Sequence, residues 1–128
     1  MTSQRSLVFS GIAPHPPIMV PEVGREAVAR VRDSIDAMAE LTRRLIDSGA
    51  ETVILISPHA PLEVDSFVAY EGPVLYGDFT SFHAPGTDFS AHVDEELLKA
   101  ITQTAAAANY GVSLLPDDLL DHGTAVPL

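Results

Sequence analysis

Leu7-Val8-Phe9-Ser10-Gly11-Ile12-Ala13-Pro14-His15-Pro16-Pro17 joins a short apolar run to a histidine held between prolines. The run from Leu7 to Ile12 is rich in strand formers and is predicted as a buried strand, with His15 leaving its C-terminal end. Proline fixes its own φ and drives the preceding residue toward extended geometry, so the imidazole is presented on a stiff, non-helical turn. The arrangement recurs in Thr52-Val53-Ile54-Leu55-Ile56, which runs directly into Ser57-Pro58-His59-Ala60-Pro61.

Between the two lies one long amphipathic segment. Val28, Val31, Ile35, Met38, Leu41 and Leu45 recur at steps of three and four, which predicts a helix from about Gly24 to Ser48, with Gly49 in the left-handed position past its end. Strand, helix, strand in that order makes the two strands parallel, with a right-handed crossover. The expected fold is therefore α/β, a mostly parallel sheet flanked by helices in three layers. In such sheets ligands bind beyond the carboxyl ends of the strands, the rim on which both His15 and His59 fall.

Further along, Ser66 to Tyr70 reads as a third strand closed by the Glu71-Gly72-Pro73 turn. Tyr76 to Gly86 reads as a long aromatic-bearing loop suited to a pocket wall. Phe89 to Val93 alternates like a short edge strand, and Asp94 is placed to cap a second helix whose stripe is Leu97, Ile101, Ala105 and Ala108, ended by Gly111. Val112 to Leu115 is one more strand, and Asp117 and Asp118 are turn residues before Asp121-His122-Gly123-Thr124. There is no internal repeat, low-complexity tract or linker.

The 128 residues suffice for one core, and 46% apolar with 20% charged is ordinary for a globular protein. No apolar run approaches the roughly 18 residues of a membrane span. The N-terminal apolar stretch is broken at Pro14 without a cleavage-like site after it, so no secretory signal is read and the chain is assigned to the cytoplasm. A formal charge of −11 repels both a phosphate backbone and an anionic membrane, which argues against nucleic acid and membrane as partners. Cysteine is absent, so a metal would have to be held by histidine and carboxylate.

Two loop imidazoles on neighbouring strands about 4.8 Å apart can converge on one ion at about 2.1 Å each. With a carboxylate they would form the facial triad of non-heme Fe(II) sites, which leaves positions open. Asp78, Asp121 and His122 are the candidates for the third ligand. His122 alternatively serves as a proton shuttle or hydrogen-bond donor to a substrate, its ring oriented by Asp121, or it is an exposed imidazole on a capped turn. His83 and His92 have no convergent neighbour and read as surface or loop histidines. Ser10, Ser57 and Thr124 lie near the rim, but no hydrolase triad can be derived from them.

In this order, Pro14-His15-Pro16-Pro17, Pro21-Glu22-Val23-Gly24, Ser57-Pro58-His59-Ala60, Gly77-Asp78-Phe79, Ala84-Pro85, Leu120-Asp121-His122-Gly123-Thr124 and Val126-Pro127-Leu128 resemble the B-subunit family of the class III extradiol ring-cleavage dioxygenases. The nearest likeness is to its AMMECR1/Memo-associated branch. The resemblance implies that His15 and His59 ligate Fe(II), although two histidines suit manganese and zinc as well, and that His122 is a catalytic histidine near the substrate. It implies a catechol-type aromatic diol and O2 as small-molecule partners, with the ring cleaved beside the diol.

The family's glutamate ligand and a further acid/base histidine belong to the later half of its domain. Residues 1–128 are therefore expected to be the N-terminal part of a single such domain, forming a homo-oligomer or pairing with a partner chain that supplies the missing half. Two other readings stand beside this one: a Memo-like metal-binding module without dioxygenase activity, and a non-catalytic fragment acting as an interaction partner.

Overall fold

The protein is described by a computed structural model covering residues 6–116 and 118–128, so the turn expected at Asp117 lies outside the described residues. The chain is α/β, and among the described residues it is built on one parallel strand pair, one antiparallel hairpin and helices. Helix α1 (Pro21–Gly24) follows a single 3-10 turn at Pro17–Met19, and a longer 3-10 stretch, Arg25–Val31, leads into α2 (Arg32–Asp47).

The helix expected from Gly24 to Ser48 is thus divided. Gly24 is pressed so closely on the backbone that a β-carbon there would stand 2.1 Å from the Ile18 carbonyl oxygen. Arg25, at φ 50, then breaks the α geometry. The three-residue step from Val28 to Val31 suits a 3-10 turn, in which such positions eclipse, and Val28 is buried. On α2, Glu40 bonds Arg43 at 2.8 Å and Arg44 at 2.7 Å, exposed pairs that hold the Glu40 carboxyl down at about 2. Gly49, at φ 75, takes the left-handed position past the helix, as expected.

Strand β1 (Ser66–Glu71) pairs in parallel with β4 (Gly111–Pro116), in the register Ser66 to Gly111 and Tyr70 to Leu115. Between them, β2 (Val74–Phe79) and β3 (Ala84–His92) form the antiparallel hairpin, Val74 opposite His92 and Phe79 opposite Ala84. Tyr76 to Gly86 is therefore not a loop. Gly77, Pro85 and Gly86 are poor strand formers, and the hairpin accommodates them with a register shift between Asp78 and Phe79 and with Gly86 at φ 85.

Helix α3 (Glu95–Ala107) starts at Asp94, whose carboxylate accepts from the Leu97 amide at 2.9 Å, the expected cap. Its end is set by Asn109 at φ 63 rather than by Gly111. Gly111 instead opens β4, where a β-carbon would meet that of Ser66 at 3.0 Å. A last short helix, α4 (His122–Ala125), closes the chain.

The two strands expected at Leu7–Ile12 and Thr52–Ile56 are not in ladders. Among the described residues neither stretch makes a backbone–backbone hydrogen bond, and Ile12 and Ile56 are 97% and 91% exposed. Strand propensity expresses fit to a pleated, half-buried surface, and without a paired neighbour it fixes no ladder. The first stretch lies close against α2, where a β-carbon at Gly11 would stand 2.9 Å from Leu41 Cδ1.

The core gathers at the hairpin tip, where buried Phe79, Ala84 and Ala125 are joined by Val20, Val23, Phe82 and Val126. It is small: the accessible surface is 9298 Å², against about 6,600 Å² for a typical folded monomer of this mass. No helix among the described residues is long and apolar enough to cross a membrane.

Candidate metal centre

Three segments meet beside that core. His15 stands on the proline turn before the first 3-10 turn, His59 on the Ser57-Pro58-His59 turn, and His122 at the first position of α4. The Nε2 atoms of His15 and His59 lie 2.9 Å apart. His15, His59 and His122 each offer a ring nitrogen, all within 4.8 Å of one another.

The 2.9 Å separation tests the fit to a metal. Two ligands held about 2.1 Å from one ion and subtending a right angle are about 3.0 Å apart, so this pair matches an adjacent edge of an octahedral shell. His122 stacks on His59 with centroids 4.2 Å apart and planes at 30°, and is 6.0 Å from His15. Its ring is therefore available either as a third ligand or as a group beside a molecule bound at the other two. Burial, followed by the nearby His59, pushes His122 below the ordinary histidine value, with Asp121 opposing. The neutral ring, which can accept a proton, is favoured. Phe82 covers it edge-on at 5.4 Å.

Asp121 does not orient that ring. Its Oδ1 accepts from Ser57 Oγ at 2.5 Å and from the Thr124 amide at 3.1 Å. Its Oδ2 accepts from Tyr70 Oη at 2.8 Å and Thr124 Oγ1 at 2.9 Å. Four donors fill the four lone-pair positions of a carboxylate, which leaves Asp121 no capacity as a metal ligand. Burial works against its charge, but the bonds from Ser57, Tyr70 and Thr124 outweigh it and hold the carboxyl below the usual carboxylate value. Burial, with donation to Asp121, pushes the Tyr70 phenol up to about 12.

Asp78 lies in the hairpin, where its Oδ1 accepts from the Thr80 amide at 3.0 Å, a local turn bond away from the imidazoles. His83 and His92 are exposed and stand outside the cluster. Sequence reading missed Tyr70, which reaches the site through a long-range contact that leaves no local spacing, whereas Phe82 lies in the Tyr76 to Gly86 stretch read as suited to a pocket wall. The proximity of Ser57 to His59 was the one available signal. Gly123 is buried for a reason of space: a β-carbon would stand 2.3 Å from Ser57 Oγ and 3.0 Å from His59 Cδ2.

A curated relative, Protein CA_C1420 of Clostridium acetobutylicum, is 28% identical over 127 residues, covering 91% of this chain and 27% of the relative. The chain thus spans about a quarter of the length of that protein. No solved structure matches it significantly. The family described as the catalytic LigB subunit of aromatic ring-opening dioxygenase matches residues 11–128, the proline turn, the hairpin and the Asp121–Thr124 turn included, and the chain belongs to that family.

Proposed function

We propose that these residues form part of the metal centre of an extradiol dioxygenase, with His15 and His59 ligating Fe(II) and His122 acting as the catalytic histidine beside a catechol-type substrate. The observation that carries this reading is the 2.9 Å approach of the His15 and His59 Nε2 atoms on proline-stiffened turns. The bound metal would supply Lewis acidity and a template that brings the diol and O2 together.

The chain's own residues do the rest. His122, half-buried and favoured neutral, would take a proton from a substrate hydroxyl at a ring nitrogen, a role its position in the histidine cluster supports. Phe82, edge-on to it at 5.4 Å, would supply an apolar wall. The remaining ligand would come from outside these residues, from the same polypeptide or from a partner chain, a reading supported by the relative of which this chain covers 27%. The ordered motifs from Pro14 to Leu128 support placement in the AMMECR1/Memo-associated branch. A cytoplasmic site of action goes with this reading.

Anaerobic titration with Fe(II), Mn(II) and Zn(II) of the wild-type chain, His15→Ala and His59→Ala tests the centre. The expected result is binding by the wild-type chain that both variants lose; equal affinity across all three proteins overturns it. Oxygen uptake with catechols by the full polypeptide tests the reaction.

A further inference from the structure

We propose that Asp121 is a positioning residue, which through Ser57 sets the spacing of His59 and His122. This inference rests on the metal-centre reading above. Asp121 is the N-cap of the four-residue helix α4, its carboxylate accepting from the Thr124 amide at 3.1 Å. Beyond that role, the same carboxylate accepts from Ser57, on the turn that carries His59, and from Tyr70, on β1. Tyr70 Oη in turn accepts from the Asp121 amide at 3.1 Å, so the contact is reciprocal.

Ser57 completes the link. Its Oγ donates to Asp121 and accepts from the His59 amide at 3.2 Å, so the carboxylate and the His59 backbone share one hydroxyl. Directly C-terminal to Asp121 comes His122, whose ring lies 4.2 Å from that of His59. Gly123 permits the approach, since a β-carbon there would fall 2.3 Å from Ser57 Oγ and 2.9 Å from Asp121 Oδ1. The two histidine-bearing turns are joined at this one carboxylate, whose four bonds all go to hydroxyls and a backbone amide rather than to a ring nitrogen. Its effect on a metal is therefore through placement of the imidazoles.

Co(II) serves as the probe, because its visible bands report coordination geometry separately from affinity. The full chain is titrated as wild type, Ser57→Ala, Ser57→Thr, Asp121→Asn and His59→Ala, with far-ultraviolet circular dichroism of each. Ser57→Ala and Asp121→Asn are expected to weaken Co(II) binding about tenfold or more and to alter the bands, in line with the effect of removing groups that orient metal ligands. Ser57→Thr, which keeps the hydroxyl, is expected to restore both. Wild-type affinity and bands in folded Ser57→Ala, while His59→Ala loses binding, would overturn the positioning role and leave the metal centre standing. Equal binding by His59→Ala and wild type would instead overturn the centre itself. Should Asp121→Asn fail to fold, the comparison of Ser57→Ala with Ser57→Thr decides.

Discussion

A β-carbon on Gly123 would stand 2.3 Å from the Ser57 hydroxyl oxygen and 2.9 Å from Asp121 Oδ1, so a side chain there must push the Ser57 hydroxyl out of its bond with Asp121. Gly123→Ala is therefore expected to destabilise the chain by about 1–3 kcal/mol, the usual cost of overpacking. It should also weaken divalent-metal binding more than its stability loss accounts for. Thermal unfolding and Co(II) titration side by side check this, and metal affinity equal to wild type at unchanged stability would refute it.

Tyr70 makes stability depend on pH at the alkaline end. Its phenol is raised from 10.0 to about 12 in the folded chain, by burial first and by donation to Asp121 second. A raised acid contributes stability that is complete below its unfolded value, so the contribution should be full up to about pH 10 and lost as pH climbs through about 12. Absorbance of tyrosinate together with unfolding midpoints across this range measures it. Tyr70→Phe should remove the highest titration step and flatten the midpoints.

Asp94 serves two elements at once. Besides capping α3 through Leu97, it accepts from Thr52 Oγ1 at 2.7 Å, tying the start of the Thr52–Ile56 stretch to that helix. Asp94→Ala is expected to cost about 0.5–2 kcal/mol, as lost N-caps do. Thr52→Val, which removes only the tether, should cost less. Denaturant unfolding of both variants orders the two contributions, and a larger loss from Thr52→Val would reverse the assignment.

Opposed surface forces predict an association that depends on salt. The chain carries a formal charge of −11, yet Leu7, Ile12, Ile56, Leu62 and Val64 are each more than 80% exposed. Screening shortens from about 30 Å at 0.01 M salt to about 8 Å at 0.15 M, so repulsion fades while apolar attraction persists. Light scattering of the chain should give the mass of one copy at low salt and a rising mean mass as salt is added. A mass constant at 13.6 kDa throughout would show that the apolar stretches are not adhesive.

The sequence made the histidine cluster legible because prolines at 14, 16 and 58 impose local geometry that no distant contact need supply. The Asp94 cap, the left-handed Gly49 and the β1 and β4 strands were local signals too, and the α/β class holds, carried by β1, β4, the hairpin and the helices rather than by the two runs before His15 and His59 from which it was argued. What escaped was non-local. Leu7–Ile12 and Thr52–Ile56 have strand composition, but pairing depends on neighbours that composition does not name. The hairpin was hidden by Gly77 and Gly86, which a register shift and a positive φ absorb. Asp121 read as a ligand or ring partner because one sequence shows its acidity and not the hydroxyls of Ser57 and Tyr70 that occupy it.

The prolines around His15 and His59 also have a calorimetric consequence. Turns already fixed before an ion arrives have little conformational freedom to surrender and little apolar surface to bury on binding. Metal uptake should therefore register as the heat of coordination and proton release, with a heat-capacity change close to zero. Replacing Pro14 and Pro58 by alanine would move the cost of ordering from the synthesis of the chain to the moment of binding, where a calorimeter records it as entropy.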